Sequence, residues 1–277
     1  MSVVRDKTNS RISTLKSLLC VGLDSDIEKI PKVFLEYKNP VLEFNCSVIR
    51  ATSDVAIAYK INTAFYEARG IVGLQDMEQT LRHIPDAIMT IADAKRADIG
   101  NTSKMYAQAF FEHWSFDAVT VAPYMGFDSL EPFFLYEDKL VFVLGLTSNK
   151  GSEDFEEQTM QNGQPLYRNV ISKVATWSRN GNGGVVVGAT KSILLEEIRR
   201  DVPGLFLLIP GVGAQGGSLE DAVNLGVDCN RESAIINVSR SLIYPSGSYS
   251  NVEAYERTVA AEASKLHHEM KRALLSV

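Results

Sequence analysis

Cysteine is scarce in this chain: Cys20, Cys46 and Cys229 stand far apart, with no Cys-x-x-Cys pair. An odd, scattered set argues against a disulfide framework and against a cysteine zinc site. Long apolar runs are missing too. The first, residues 18–23, stops at Asp24 and is too short to cross a bilayer. Residues 1–16 carry Arg5, Lys7, Arg11 and Lys16 with no apolar stretch, which predicts a lead-in segment rather than a secretory signal. Nothing rich in proline, serine or glycine divides the sequence, so residues 1–277 are expected to form one domain, in the cytoplasm. Positive charge is in deficit, 28 Lys and Arg against 34 Asp and Glu, a formal net charge of −6. Such a surface repels nucleic acid and anionic lipid, so neither is expected as a partner. The four histidines fall on predicted helices away from strand ends, which disfavours histidine acid–base or metal roles.

What is present is a rhythm. Apolar runs at 18–23, 55–61, 87–92, 118–122, 140–146, 184–187, 205–209 and 234–238 are continuous rather than alternating, as expected of strands covered on both faces. Helical periodicity fills the gaps at 41–53, 65–83, 102–114, 166–178, 192–199, 218–225 and 251–275. A weaker candidate covers 128–136, where Pro132 is expected in the first turn or at a break. Pro165 is expected at the first helical position of the helix after it. Strand then helix, repeated eight times without interruption, predicts an α/β protein of a single (β/α)8 TIM barrel. The stretch 147–164 is long and polar for a loop after a strand, a feature that more often serves function than connection.

Active sites of such barrels form at the C-terminal ends of the strands. There the sequence places Asp24, Lys60 with Asn62, the run from Asp93 through Lys95 to Asp98, Ser148, and Ser239 with Arg240. Residues two apart on a strand share a face, so Asp93 and Lys95 are predicted to point together into the barrel mouth, with Asp98 just beyond. A structural salt-bridge network is the alternative explanation. An ammonium among carboxylates keeps its proton, which suits stabilising and then protonating a developing carbanion better than forming a Schiff base. That chemistry needs no metal and no organic cofactor. The turn Gly211-Val-Gly213-Ala-Gln215-Gly216-Gly217, facing Ser239 and Arg240 across the loops after strands seven and eight, predicts a phosphate site. It is not a P-loop, since no Gly-Lys-Ser/Thr follows.

The segments 93–102 (DAKRADIGNT), 123–126 (PYMG), 147–149 (TSN), 210–217 (PGVGAQGG) and 237–240 (NVSR), with YKIN at 59–62, resemble the orotidine 5′-phosphate decarboxylase family, in the branch with an extended fifth loop. The resemblance runs from Gly22 to Arg240 in the family's order. It implies cofactor-free decarboxylation of orotidine 5′-monophosphate to UMP in pyrimidine biosynthesis. Lys95 would protonate C6 of the pyrimidine, and Asp93 would face the departing carboxylate. Lys60 and Asp24 would bind ribose hydroxyls, Ser148 the base, Gln215 phosphate and base from a lid, and Arg240 phosphate. Asp98 and Thr102 would reach into the neighbouring subunit's site, implying a homodimer. Ala97, Ile61, Lys150 and Ala122 depart from the branch's usual residues; only Ala122, at a strand end, bears on a hydrogen bond near the site. Sister barrels share the Asp-x-Lys-x-x-Asp element, so a magnesium-dependent sugar-phosphate lyase is the alternative enzyme. A nucleotide-binding barrel without activity is the non-enzymatic one.

Overall fold

The computed structural model describes residues 2–213 and 216–276. Eight parallel strands close into a barrel in sequence order: β1 (Leu19–Gly22), β2 (Ala58–Asn62), β3 (Met89–Arg96), β4 (Ala118–Val121), β5 (Leu140–Leu146), β6 (Gly183–Val187), β7 (Phe206–Pro210) and β8 (Ala234–Val238). Pairing of β1 with β8 completes the ring. Both faces of every strand are covered, which is why the sequence shows unbroken apolar runs there.

The residues ahead of β1 form a helix, α1 (Val3–Leu15). It plugs the N-terminal end of the barrel. The Arg5 guanidinium donates to the Gly204 carbonyl at 2.6 Å and to Ser233 Oγ at 3.0 Å, and it lies over the Phe206 ring. Inside the barrel, Phe142 on β5 and Phe206 on β7 meet edge to face across Gly184 on β6. A Cβ at Gly184 would come within 2.7 Å of the Phe142 ring, so glycine is the residue that lets both rings fill this layer.

The outer helices are α2 (Pro40–Thr52), α3 (Ala64–Glu67), α4 (Gly70–Leu81), α5 (Gly100–Gln108), α6 (Phe127–Phe134), α7 (Ser152–Phe155), α8 (Leu166–Trp177), α9 (Ser192–Asp201), α10 (Leu219–Gly226), α11 (Arg240–Ile243) and α12 (Val252–Leu275). Three differ from expectation. The helix predicted over 65–83 is two, because Gly70 takes φ +62°, a left-handed value that ends one helix and starts the next. Pro132 lies inside α6 without breaking it: burial of Leu130, Phe133 and Phe134 outweighs one missing backbone bond. Pro165 caps α8 from outside rather than opening its first turn. After α5 the chain widens into a π-turn, Ala109–His113, which seats Phe110 and Phe111 in the core. Among the described residues no helix is long and apolar enough to cross a membrane.

Candidate active site

The C-terminal ends of β1, β2 and β3 bring four charges together. Lys60, inside β2, is buried, and its ammonium lies 3.0 Å from Asp93 Oδ2 and 3.4 Å from Asp24 Oδ1. The other Asp93 oxygen, Oδ1, accepts from the Lys95 ammonium at 2.6 Å. Asp24 is held in turn by the Ser239 hydroxyl, 2.7 Å from its Oδ2, at the end of β8. One continuous chain therefore runs Ser239, Asp24, Lys60, Asp93, Lys95. Its last member is the open one: the Lys95 side chain is 48% exposed, against 5% for Lys60 and 13% for Asp93.

Burial alone would favour neutral Lys60, but the two carboxylates outweigh it and raise the ammonium's affinity for its proton. Burial likewise pushes Asp93 up, and Lys60 and Lys95 together outweigh that, holding it well below the usual carboxylate range. At an effective dielectric near 20, each close pair is worth about 4 kcal/mol before desolvation is subtracted. Lys60 and Asp93 are fixed by their partners rather than by solvent.

Simple strand alternation is not what brings Lys95 to Asp93. Lys95 has φ +49°, and the β3–β4 register jumps from Ala92↔Val119 to Arg96↔Val121. The chain bulges there, at a conformational cost of about 1–2 kcal/mol for a residue other than glycine. The bulge is supported by Thr120 on β4, a residue the sequence did not single out. Its hydroxyl accepts from the Lys95 backbone N–H and donates to Asp93 Oδ1, each at 3.0 Å. A hydroxyl inside the apolar run 118–122 is the one sequence signal that could have marked it.

The loop after β5 is pinned by a second unforeseen residue. The Glu156 carboxylate accepts from Thr147 N at 2.7 Å and from the Thr147 hydroxyl at 2.9 Å. Glu157 pairs with Lys191, beyond β6, at 2.8 Å. The long polar stretch thus folds back on the strand end that carries Ser148. A Cβ at Gly188 would lie 2.8 Å from the Ser148 Cβ, so the chain leaving β6 packs directly against Ser148.

On the opposite side, Gly211, Gly213 and Gly216 take φ of +97°, +74° and +87°. Gly217 packs so tightly that a Cβ there would lie 2.6 Å from that of Ala189. Arg240 begins α11 beside this turn and is exposed. Gln215 lies outside the described residues.

Besides Ser148, Gly216 and Arg240, three further expected residues stand apart from the charge chain. Asp98 is half-buried in the connection to α5, and its carboxylate accepts from the Ile99 N–H; among the described residues no ion pair joins it to the chain. Thr102 is exposed on α5. Asn62 turns its side-chain oxygen to the Ala64 N–H at 3.2 Å. A groove of about 650 Å³ between α8 and α9, lined by Arg168, Asn169, Ser172 and Asp201 among others, lies on the barrel flank and includes none of these groups.

The fold and site define a TIM-barrel enzyme whose centre is a fixed lysine–carboxylate array facing a glycine-rich, arginine-flanked turn. The profile of the orotidine 5′-phosphate decarboxylase / HUMPS family matches residues 17–257, and the chain belongs to that family. Orotidine 5′-phosphate decarboxylase of Porphyromonas gingivalis is 47% identical over 268 residues, 95% of both chains. That of Flavobacterium johnsoniae is 48% identical over 267 residues, again 95% of both. Among solved structures, Leishmania donovani OMP decarboxylase superposes with a TM-score of 0.81 at 36% identity, covering 97% of this chain and all of that one. Leishmania donovani UMP synthase matches with a TM-score of 0.82 and 37% identity over 96% of this chain but 57% of its own. The chain is accordingly an enzyme of the carboxy-lyase class.

Proposed function

We propose that the protein decarboxylates orotidine 5′-monophosphate to UMP, with neither metal nor organic cofactor, as a cytoplasmic homodimer. The observation that carries the mechanism is the Lys95 ammonium, held 2.6 Å from Asp93 and open to the barrel mouth. When the bond from C6 to the carboxylate breaks, CO₂ departs and the electron pair stays on C6. Lys95 donates a proton to C6, giving UMP, and regains one from water. Asp93 lies beside the departing carboxylate, and its negative charge disfavours that anion until it leaves as neutral CO₂. Lys60 and Asp24 bind the ribose hydroxyls and keep Asp93 ionised. Asn62 and Ser148 border the nucleoside, Ser148 at the pyrimidine. Gly216, Ser239 and Arg240 take the phosphate, and Gln215 bridges phosphate and base. Asp24 and Asp93 already share Lys60, so the site offers its carboxylates to an ammonium rather than to a divalent cation.

Asp98 and Thr102, idle within their own protomer's charge chain, serve the neighbouring subunit. Exposed apolar residues on successive connections support a second copy there: Ile71 and Val72 after β2, Ile99 and Met105 after β3, Tyr124 and Met125 after β4. All three cysteines are free, as suits a reducing compartment. The test is loss of ultraviolet absorbance from orotidine 5′-monophosphate with purified protein and EDTA. Equimolar CO₂ and UMP at an unchanged rate are expected. Absence of turnover, or turnover abolished by the chelator, overturns the proposal.

A further inference from the structure

We infer that Thr120 is a positioning residue for the reaction, setting the Lys95 ammonium through the backbone that carries it; this rests on the role just proposed for Lys95. The register places three residues of β3, Asp93, Ala94 and Lys95, opposite the single residue Thr120 of β4. A bulge of that size leaves backbone groups without ladder partners. The Lys95 N–H is one of them, and the Thr120 hydroxyl takes it at 3.0 Å. With its oxygen accepting there, the hydroxyl's single hydrogen points to Asp93 Oδ1, also 3.0 Å away. The same Asp93 oxygen receives the Lys95 ammonium. A closed ring results: Lys95 backbone, Thr120 hydroxyl, Asp93 carboxylate, Lys95 side chain. Thr120 is 1% exposed, so water cannot stand in for the hydroxyl without repacking. It touches no reacting atom in this arrangement. Its work is to hold a left-handed lysine and its counter-charge at fixed separation, where a displacement of about 1 Å can lower a rate on the order of 10²-fold.

Thr120→Val keeps the shape and removes the hydroxyl; Thr120→Ser keeps the hydroxyl and removes a methyl. Turnover of orotidine 5′-monophosphate and binding of UMP are measured for both beside the unaltered enzyme. The expected result is kcat reduced by roughly 30- to 100-fold in Thr120→Val, UMP affinity within about threefold, and Thr120→Ser restored to within about fivefold. Thr120→Val turning over within about threefold of the unaltered enzyme overturns the inference. So does an equal loss in both variants, or a UMP affinity that falls in step with kcat, since either marks simple packing. Should Thr120→Val not fold, Thr120→Ala against Thr120→Ser decides on the same criteria. An unaltered enzyme that leaves the substrate untouched refutes the decarboxylase assignment itself, a different outcome from an active enzyme indifferent to residue 120.

Discussion

Lys60 illustrates how a single buried charge dictates behaviour with pH. Its proton affinity is raised, so the stabilisation it supplies is present below the unfolded lysine value, ~10.4, and is lost as pH rises through the folded one. Asp93 is depressed, so its contribution is present above the unfolded aspartate value, ~3.9, and is lost as pH falls through the folded one. Between those limits neither group changes charge. Asp93→Asn leaves Lys60 buried with Asp24 alone, at 3.4 Å, and is expected to destabilise by about 3 kcal/mol. Thermal unfolding should show the same loss at about pH 5.5 and about pH 8.5; a loss that changes across that interval contradicts the charge assignment. Arg240 is a residue of the other kind, exposed, and its proposed role is to grip a phosphate in two-pronged fashion. Arg240→Ala should depress kcat/KM for the nucleotide on the order of 10²-fold or more while leaving the phosphate-free nucleoside nearly unaffected. Equal losses on the two substrates would remove the phosphate role.

Among the elements, strands were the easiest to recognise, because parallel strands buried on both faces must be apolar throughout; 140–146 and 234–238 match β5 and β8 residue for residue. Asp24, Lys60, Asp93 and Lys95 were legible for the complementary reason: charges at the ends of buried runs need partners. The bulge at Lys95 was not, since a left-handed lysine is fixed by Thr120, 25 residues away. Nor was the clamp of Glu156 on Thr147, which exists only once the fifth loop has folded back. Helix α1 hid in the polar segment 1–16 because its stability comes from docking against the barrel floor, as Arg5 shows. A related support lies at the N-terminal ends of β7 and β8. The Arg199 guanidinium, on α9, donates to the carbonyls of Gly226, Val202, Pro203, Leu205 and Ser233. Burial, opposed by the Asp228 charge and reinforced by that of Arg5, lowers its pKa to about 10. Arg199→Met strands those carbonyls and should destabilise by about 3 kcal/mol in urea titration. Because the proposed active site occupies the opposite end of the barrel, kcat of the folded variant should stay within about twofold. A loss of kcat without a loss of stability would show that the two ends are coupled.

For the molecule as a whole, barrel closure gathers residues 24, 60, 93, 95, 148 and 239 from five separate strand ends into one mouth, which the proposed dimer would complete with Asp98 and Thr102 of a second copy. If Asp98 acts across the interface, an inactive Asp98→Ala chain mixed with an inactive Lys95→Ala chain must regain function. A heterodimer then holds one intact site, and random re-pairing should return about a quarter of wild-type activity. No recovery after verified exchange of subunits would place Asp98 in its own protomer's site. The most direct measurement concerns the ammonium itself: the rate of CO₂ release by Lys95→Ala, with UMP binding followed in parallel. A fall on the order of 10³-fold or more, with UMP affinity retained within about tenfold, is expected if that group supplies the proton and offsets the carbanion's charge. Turnover within about tenfold of the unaltered enzyme would contradict it.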